Sequence, residues 1–520
     1  MTNRTVQMRR QLHTKAGRRI SRPATTGMAS ARSRAVSAMQ RPYEAVALTV
    51  LFLTYIAFYH FAPARTFPFV IVGGSFAMVA ILGHSSYQIA RKSPLAIWTP
   101  IFWLRVACMV YFGIGATIPF IGNPQTIARL KLNYPFTDET ALRVVAIYTL
   151  GVLLFLMTSS FMLKLLRQND RLTLVKGGEE TAAQRGLILS TAAYSIAFLI
   201  VGGALRYGIV IPYRFGLLGD NVIPGVLVLL SNCYYVGIYL MISRLSRFDF
   251  LSILPAAIVV LVDAVFCIAS FAKAELLILL MFCFLGLVGH NLSWKLLGFG
   301  VSLMLAAFFT MQPLVEFGRQ EIQNRYGVIR GAPIGERLSI IGEYFRTDGS
   351  TGGDGTQTGL IRLSYMAPSA FVVDNFDSGD PGHTFKDAAA VFVPRALWPN
   401  KPIISALGED LNQQMTGQRG SALGIGHFIE AYWNFGWLGI PVVVAMLSLV
   451  FSLTSWFSLG VMERKDWLYL PVVLLSLQMG IRVDGHFVVD ILGPAWIALV
   501  VYVALAVLKR ATGLGAAVSR

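Results

Sequence analysis

An all-α polytopic membrane protein is the fold class this sequence predicts, and three observations predict it. Of its 520 residues 55% are hydrophobic and only 14% charged, against roughly 25% charged in soluble globular domains. Mean hydropathy is +0.61. The apolar residues also gather in runs near the ~20 residues a helix needs to cross a bilayer. So few charges cannot cover a water-facing surface of this size.

The runs lie at about 44–62, 67–90, 95–121, 142–163, 187–205, 221–243, 251–271, 275–289, 296–314, 437–459, 467–481 and 487–507, which predicts about twelve transmembrane helices. The eighth is short and the third long, so tilt or a shift of a few residues is expected there. The chain thus divides into a basic tail (1–43), nine spans (44–314), a long outer connection (315–436), three spans (437–507) and a short tail (508–520).

Charge placement orients these spans. The formal net charge is +17, and ten of the cations lie in residues 1–43, before the first acid at Glu44. With that end inside, the inside connections and tails carry 25 Lys and Arg, including Arg91, Lys92, Lys164, Arg167, Arg244, Arg464 and Lys509. The short outside connections carry seven: Arg65, Arg129, Lys131, Arg206, Arg214, Lys273 and Arg482. This is the cytoplasmic bias of Lys and Arg, and it places both termini in the cytoplasm. It also accounts for the basic balance without nucleic acid. Residues 1–43 read as a disordered tail near anionic headgroups, the other reading being an organellar transit peptide. The four cysteines (Cys108, Cys233, Cys267, Cys283) fall inside apolar runs without ligand spacing, so neither a disulfide framework nor a metal site is expected. There is no Walker A, dinucleotide or HExxH motif to support ATP or zinc hydrolysis.

The long connection 315–436 is where function is expected, because long loops carrying helices are usually functional. It contains 17 Gly between Gly318 and Gly426. Residues 333–346 read as a helix with proline in its first turn, 359–375 as a second helix interrupted at Pro368, and 383–395 as a third. Residues 348–358 read as a loop. Ten cations face twelve acids between Glu316 and Arg419, too even a balance for a polyanion-binding surface but suited to a few converging arginines. Arginine's planar fork matches phosphate.

Two segments carry the chemistry. In Phe392-Val-Pro-Arg-Ala-Leu-Trp-Pro-Asn-Lys-Pro402 three prolines fix the backbone around Arg395 and Lys401. In Gly426-His-Phe-Ile-Glu-Ala-Tyr-Trp-Asn-Phe-Gly436 the spacing puts His427, Glu430 and Asn434 on one helical face. A carboxylate beside a histidine one turn away suits a general base, while the plain alternative is an acid favouring a helix N-terminus. Arg482, Asp484, His486 and Asp490 gather at the last outer turn, near where Glu430 emerges. Arg105 and Asp263 fall inside spans, where a structural pair between helices is the simplest expectation.

These segments, with Gly382-His-Thr-Phe385 before them, resemble the signature of Wzy-type O-antigen and oligosaccharide repeat-unit polymerases of bacterial inner membranes. The matching motifs cover about 55 residues, and the span count with its single large loop extends the likeness. The resemblance implies a GT-C-like glycosyltransferase with no cofactor and no need of a nucleotide, since the donor arrives activated; no metal site is assigned, a metal ion being left open with no carboxylate cluster visible to hold it. Its substrates are a polyprenyl-pyrophosphate-linked oligosaccharide donor and acceptor at the periplasmic face. The bilayer and a chain-length regulator protein are the partners implied. Arg319, Arg395, Lys401, Arg419 and Arg482 become pyrophosphate- or sugar-binding candidates, Asn434 a further one, and Glu430 or His427 the base. Relatives often carry arginine in a mid-chain outer turn that here reads Phe271-Ala-Lys-Ala-Glu275. Lys273 therefore stands either as a phosphate ligand without the fork or as a snorkelling interfacial lysine. An O-antigen ligase shares the donor. A flippase is the rival of another class, and it predicts charges spread along several spans and no large ordered loop.

Overall fold

The computed structural model describes residues 31–168, 183–218, 223–245, 250–288, 294–326, 332–346, 359–393, 397–398, 400–402, 406–417 and 422–511. Among them every regular element is helical. In chain order the helices are α1 (Ala31–Met39), α2 (Pro42–Phe61), α3 (Phe67–Lys92), α4 (Pro100–Ile121), α5 (Pro124–Asn133) and α6 (Asp138–Gln168). Next come α7 (Ala183–Leu205, running on through a π-turn at Arg206–Val210 to Arg214), α8 (Gly225–Leu245), α9 (Phe250–Ala269), α10 (Lys273–Val288) and α11 (Trp294–Tyr326). The long connection holds α12 (Ile334–Arg346), α13 (Met366–Asp377) and α14 (Leu407–Thr416). It ends in α15 (His427–Phe435), which leads into α16 (Gly439–Arg464), α17 (Leu470–Ile481) and α18 (Gly493–Ala511).

Nine helical stretches among the described residues are long and apolar enough to cross a membrane. The expected runs at 251–271, 275–289 and 467–481 also form helices, α9, α10 and α17, which fall outside those nine. Large apolar side chains such as Val46, Phe69, Leu254, Leu261, Val442 and Val507 stand exposed around the bundle. An apolar belt of this extent is costly in water and natural against lipid.

Small and hydroxyl residues let the central helices approach. Thr158 Oγ1 and Ser448 Oγ lie 2.5 Å apart between α6 and α16, and Ser458 and Ser476 are 3.1 Å apart between α16 and α17. A Cβ on Gly480 of α17 would lie 2.5 Å from the Pro100 carbonyl oxygen of α4.

Several expectations are corrected. Residues 31–43 are not a disordered tail: α1 packs on the bundle, burying Ala35, Val36, Ala38 and Met39. Arg32 secures it, donating to the Trp456 carbonyl at 2.8 Å with its guanidinium 3.3 Å from the centre of that indole. Arg105 and Asp263 do not pair with each other. Arg105 meets Glu44 at 3.5 Å, because Glu44 sits in the first turn of α2 inside the bundle. Asp263 meets Arg206, whose Nε lies 2.5 Å from Asp263 Oδ1. Arg206 is thus not in a loop: α7 continues past it through the π-turn, a distortion often found at functional sites.

In the long connection the helix at 334–346 forms as expected. Pro368 does not interrupt a helix but lies in the first turn of α13, where its missing N–H costs nothing. The third expected helix shrinks to a 3₁₀ turn, Ala388–Phe392. Helices α5 and α14 appear where only loop was read. The expected loop 348–358 lies outside the described residues.

Candidate active site

The site is built where α15, the turn between α17 and α18, and the Gly382–Phe385 segment meet. Residue Gly426 at the start of α15 has φ +83°, a left-handed conformation that favours glycine. Its N–H donates to the Asp484 carbonyl at 3.0 Å, and His427 N–H donates to that of Val483 at 3.4 Å. The turn 483–484 is thereby fastened to the helix start. Contact is close enough that a Cβ on Gly424 would fall 2.1 Å from the Asp484 carbonyl oxygen. Gly424→Ala is therefore expected to cost about 1–3 kcal/mol by overpacking, read as a lower unfolding temperature in detergent. A variant as stable as wild type would contradict this packing.

On the helix, Glu430 is fully buried. Its Oε2 accepts the Phe487 N–H at 2.5 Å, and its Oε1 lies 3.4 Å from His486 Nδ1. The other ring nitrogen of His486 lies 3.1 Å from the Leu423 carbonyl oxygen, and the His486 N–H donates to Asp490 at 3.0 Å. Burial opposes a charge on this imidazole. The negative charge of Glu430 3.4 Å away, helped by Leu423 and Asp490, outweighs it and raises the His486 pKa above the ordinary histidine value. A buried carboxylate–imidazole pair results.

The histidine beside Glu430 is thus His486, not His427. His427 is 2% exposed, its ring lies edge-on to Phe487 at 6.1 Å, and neither ring nitrogen has a hydrogen-bond partner among the described residues. Asn434 acts on the protein itself. Its Oδ1 accepts the Thr384 N–H at 3.0 Å, and its Nδ2 donates to Thr384 Oγ1 at 2.9 Å and to the Glu430 carbonyl at 2.8 Å. The Gly382 N–H donates to the Trp433 carbonyl at 2.9 Å. Two of the sequence segments singled out, Gly382–Phe385 and Glu430–Gly436, are therefore one packed unit.

A second group lies within electrostatic range of Asp484 in the same turn. Lys273, Arg319 and Arg362 lie within electrostatic range of one another, and the acids Glu316 and Asp484 act on Lys273. None has a carboxylate within salt-bridge distance among the described residues. Arg319 donates to the Phe271 carbonyl at 2.9 Å, and Lys273 contacts Gln312 Oε1 with its ammonium 4.5 Å from the centre of the Phe308 ring. Asp484 is engaged elsewhere, accepting from Tyr365 Oη at 2.6 Å. Burial, with the two guanidinium charges, pushes the Lys273 pKa down to about 8. Like charges held together, with Glu316 and Asp484 near but not in salt-bridge contact, form a candidate anion site.

Arg482 is 61% exposed and pairs with Asp490 at 3.3 Å, so it reaches the His486 turn from outside. Lys401 donates to the Val393 carbonyl at 3.0 Å within its own proline-rich segment, which rests on α18 through Phe392 and Trp496, 5.5 Å between rings. Arg395 and Arg419 lie outside the described residues. Of the residues expected at the site, the structure therefore joins Lys273 with Arg319, and Glu430 with Asn434. Sequence reasoning passed over Arg362 and His486 as site residues. His486 was findable from the cluster 482–490, whereas Arg362 carries no local signal apart from its neighbour Tyr365.

The chain matches no protein-family model, no curated protein and no solved structure.

Proposed function

We propose that this chain is a membrane glycosyltransferase that polymerises polyprenyl-pyrophosphate-linked oligosaccharide repeat units at the periplasmic face of a bacterial inner membrane. The reading includes twelve spans, cytoplasmic termini and a GT-C-like plan. One observation carries it: Lys273, Arg319 and Arg362 stand together, with no carboxylate in salt-bridge contact among the described residues, beside the turn that holds the His486–Glu430 pair. The motif resemblance and the bias of Lys and Arg in the connections support the same reading.

The chemistry follows from that arrangement. Bond breakage between the sugar anomeric carbon and the pyrophosphate leaves negative charge on the departing phosphate. Three preorganised cations stabilise this charge without reorganising. The acceptor hydroxyl forms the new bond to the same carbon and must lose its proton. In this reading the proton goes to His486 Nε2, displacing the Leu423 carbonyl that now faces it. Glu430 fixes the tautomer from Nδ1 and stabilises the imidazolium. The products are the elongated glycan on the acceptor's carrier and a free carrier pyrophosphate. Glu430 is then a positioning residue.

The test is turnover of the host's lipid-linked repeat unit against pH. Activity should rise as His486 loses its proton, an acid limb above pH 6.5 because its pKa is raised. It should fall again as Lys273 loses its charge near pH 8. The alkaline limb should appear in kcat/KM, which reports the free enzyme. Lys273→Arg keeps the charge, so that limb should leave the measurable range. A wild-type profile without an alkaline limb, or an unchanged limb in Lys273→Arg, would contradict this role.

A further inference from the structure

On the opposite flank of α15 lies a cavity of about 550 Å³ lined by Tyr55, Tyr59, Arg143, Asp377, Tyr432 and Trp437, among others. Its volume is in the range of ligand sites, roughly 300–1,000 Å³. It opens at the same end of the bundle as Glu430, since it uses the last turns of α2, the first turns of α6, and the α15–α16 junction. We infer that this cavity binds neutral sugar units of the glycan, separately from the cation group that faces pyrophosphate. The identity of that glycan rests on the glycosyltransferase reading.

Three features select this ligand. First, aromatic faces and edges meet: Tyr432 and Trp437 are 5.3 Å apart edge to face, and Trp437 is 41% exposed. Rings with one apolar face and a polar tip suit the mixed surface of a sugar ring. Second, donors and acceptors alternate at the rim. Arg143 forms an ion pair with Asp377 and donates to Tyr59 Oη, which donates to Glu139 at 3.0 Å. Tyr432 Oη donates to Asp377 at 2.7 Å. Arg143 and Asp377 keep 24% and 31% of their side-chain surface exposed, so both still present groups to a hydroxylated ligand.

Third, the charge is balanced. A phosphate entering here would meet Asp377 and Glu139 as well as Arg143, whereas Lys273, Arg319 and Arg362 have no carboxylate within salt-bridge distance among the described residues. A neutral hydroxyl-rich ligand carries no such penalty. Helix α15 thus separates two surfaces: Glu430 faces the His486 turn and Tyr432 faces the cavity. Glycan held at the second surface stays beside the first while the carriers exchange.

The experiment titrates full-length protein in nanodiscs with the host's repeat-unit oligosaccharide, released from its carrier by mild acid and free of phosphate. Saturation-transfer NMR reads the binding, and farnesyl phosphate is the counter-probe. Wild type should bind the oligosaccharide. Trp437→Ala and Arg143→Met should weaken it at least tenfold, and Trp437→Phe should restore most of it. The lipid-facing Phe69→Ala should bind as wild type, and folding of each variant is checked by size exclusion and melting.

No binding by wild type, or equal binding by both pocket variants, would overturn the inference. So would variants that lose farnesyl phosphate and keep the sugar, which would make the cavity a lipid groove. Turnover on the same preparations separates the two claims. Wild type that builds polymer while the pocket variants keep full sugar binding overturns the pocket and leaves the enzyme. Wild type that builds none while the variants lose sugar binding does the reverse.

Discussion

Glu430→Gln is expected to lower repeat-unit turnover by about 10²–10⁴-fold, the usual contribution of a positioned general base. The reason lies in the two contacts of the carboxylate. One oxygen accepts the Phe487 N–H at 2.5 Å and the other faces His486 Nδ1 at 3.4 Å. A glutamine amide has only one acceptor oxygen. If that oxygen keeps the Phe487 N–H, the NH₂ group faces Nδ1 and forces the ring proton to Nε2, the atom that must receive one. The geometry survives while the tautomer is wrong.

Stability should report the same pair with a definite pH dependence. The His486 pKa is raised in the folded state. Its contribution is therefore complete below the unfolded value, roughly 6.5, and is lost as pH rises through the higher folded value. The gap in unfolding free energy between wild type and Glu430→Gln should be widest between about pH 5 and 6.5 and narrow above it. A gap that widens with pH would mean that His486 is neutral in the native pair.

Arg206→Met is expected to be the most destabilising single change, at about 3–5 kcal/mol, because it leaves the buried Asp263 carboxylate without a cation. Arg206 is 1% exposed and Asp263 0%. The guanidinium also reaches Glu275 at 2.9 Å, Arg214 contacts the other oxygen of Glu275, and Tyr207 Oη donates to Asp263 at 3.0 Å. Removing the acid as well, in Arg206→Met with Asp263→Leu, should recover much of the loss, since a matched apolar pair is often as stable as a buried ion pair. Glu275 stands two residues from Lys273, so the single variant should also raise KM for the lipid-linked donor. Denaturation in detergent and donor titration read the two effects. A single variant as stable as wild type would refute the buried network.

The fold was legible because bilayer thickness imposes run length, and run length is visible in one dimension. Charge pairing inside the bundle was not. Arg206 reads as a loop residue until the π-turn carries α7 past it, and Glu44 reads as the edge of a span until α1 folds back over that end of the bundle. At the candidate site, spacing on one helix placed Asn434 beside Glu430, but the imidazole facing the Glu430 carboxylate is His486 rather than His427. The partner came from a turn 56 residues downstream, His486, and helical periodicity has no reach over that distance. Lys273, Arg319 and Arg362 come from three separate elements, so only tertiary packing shows that they converge.

Incubating purified protein in nanodiscs with the host's own lipid-linked repeat unit, and resolving the products as a glycan ladder, tests the polymerase reading most directly. Wild type and Phe69→Ala should build the ladder. Glu430→Gln and a Lys273→Gln, Arg362→Gln double variant, each shown to be folded, should not. An intact wild-type protein that builds no ladder, yet transfers the glycan to a lipid A–core acceptor or merely carries the lipid across vesicles, would contradict it.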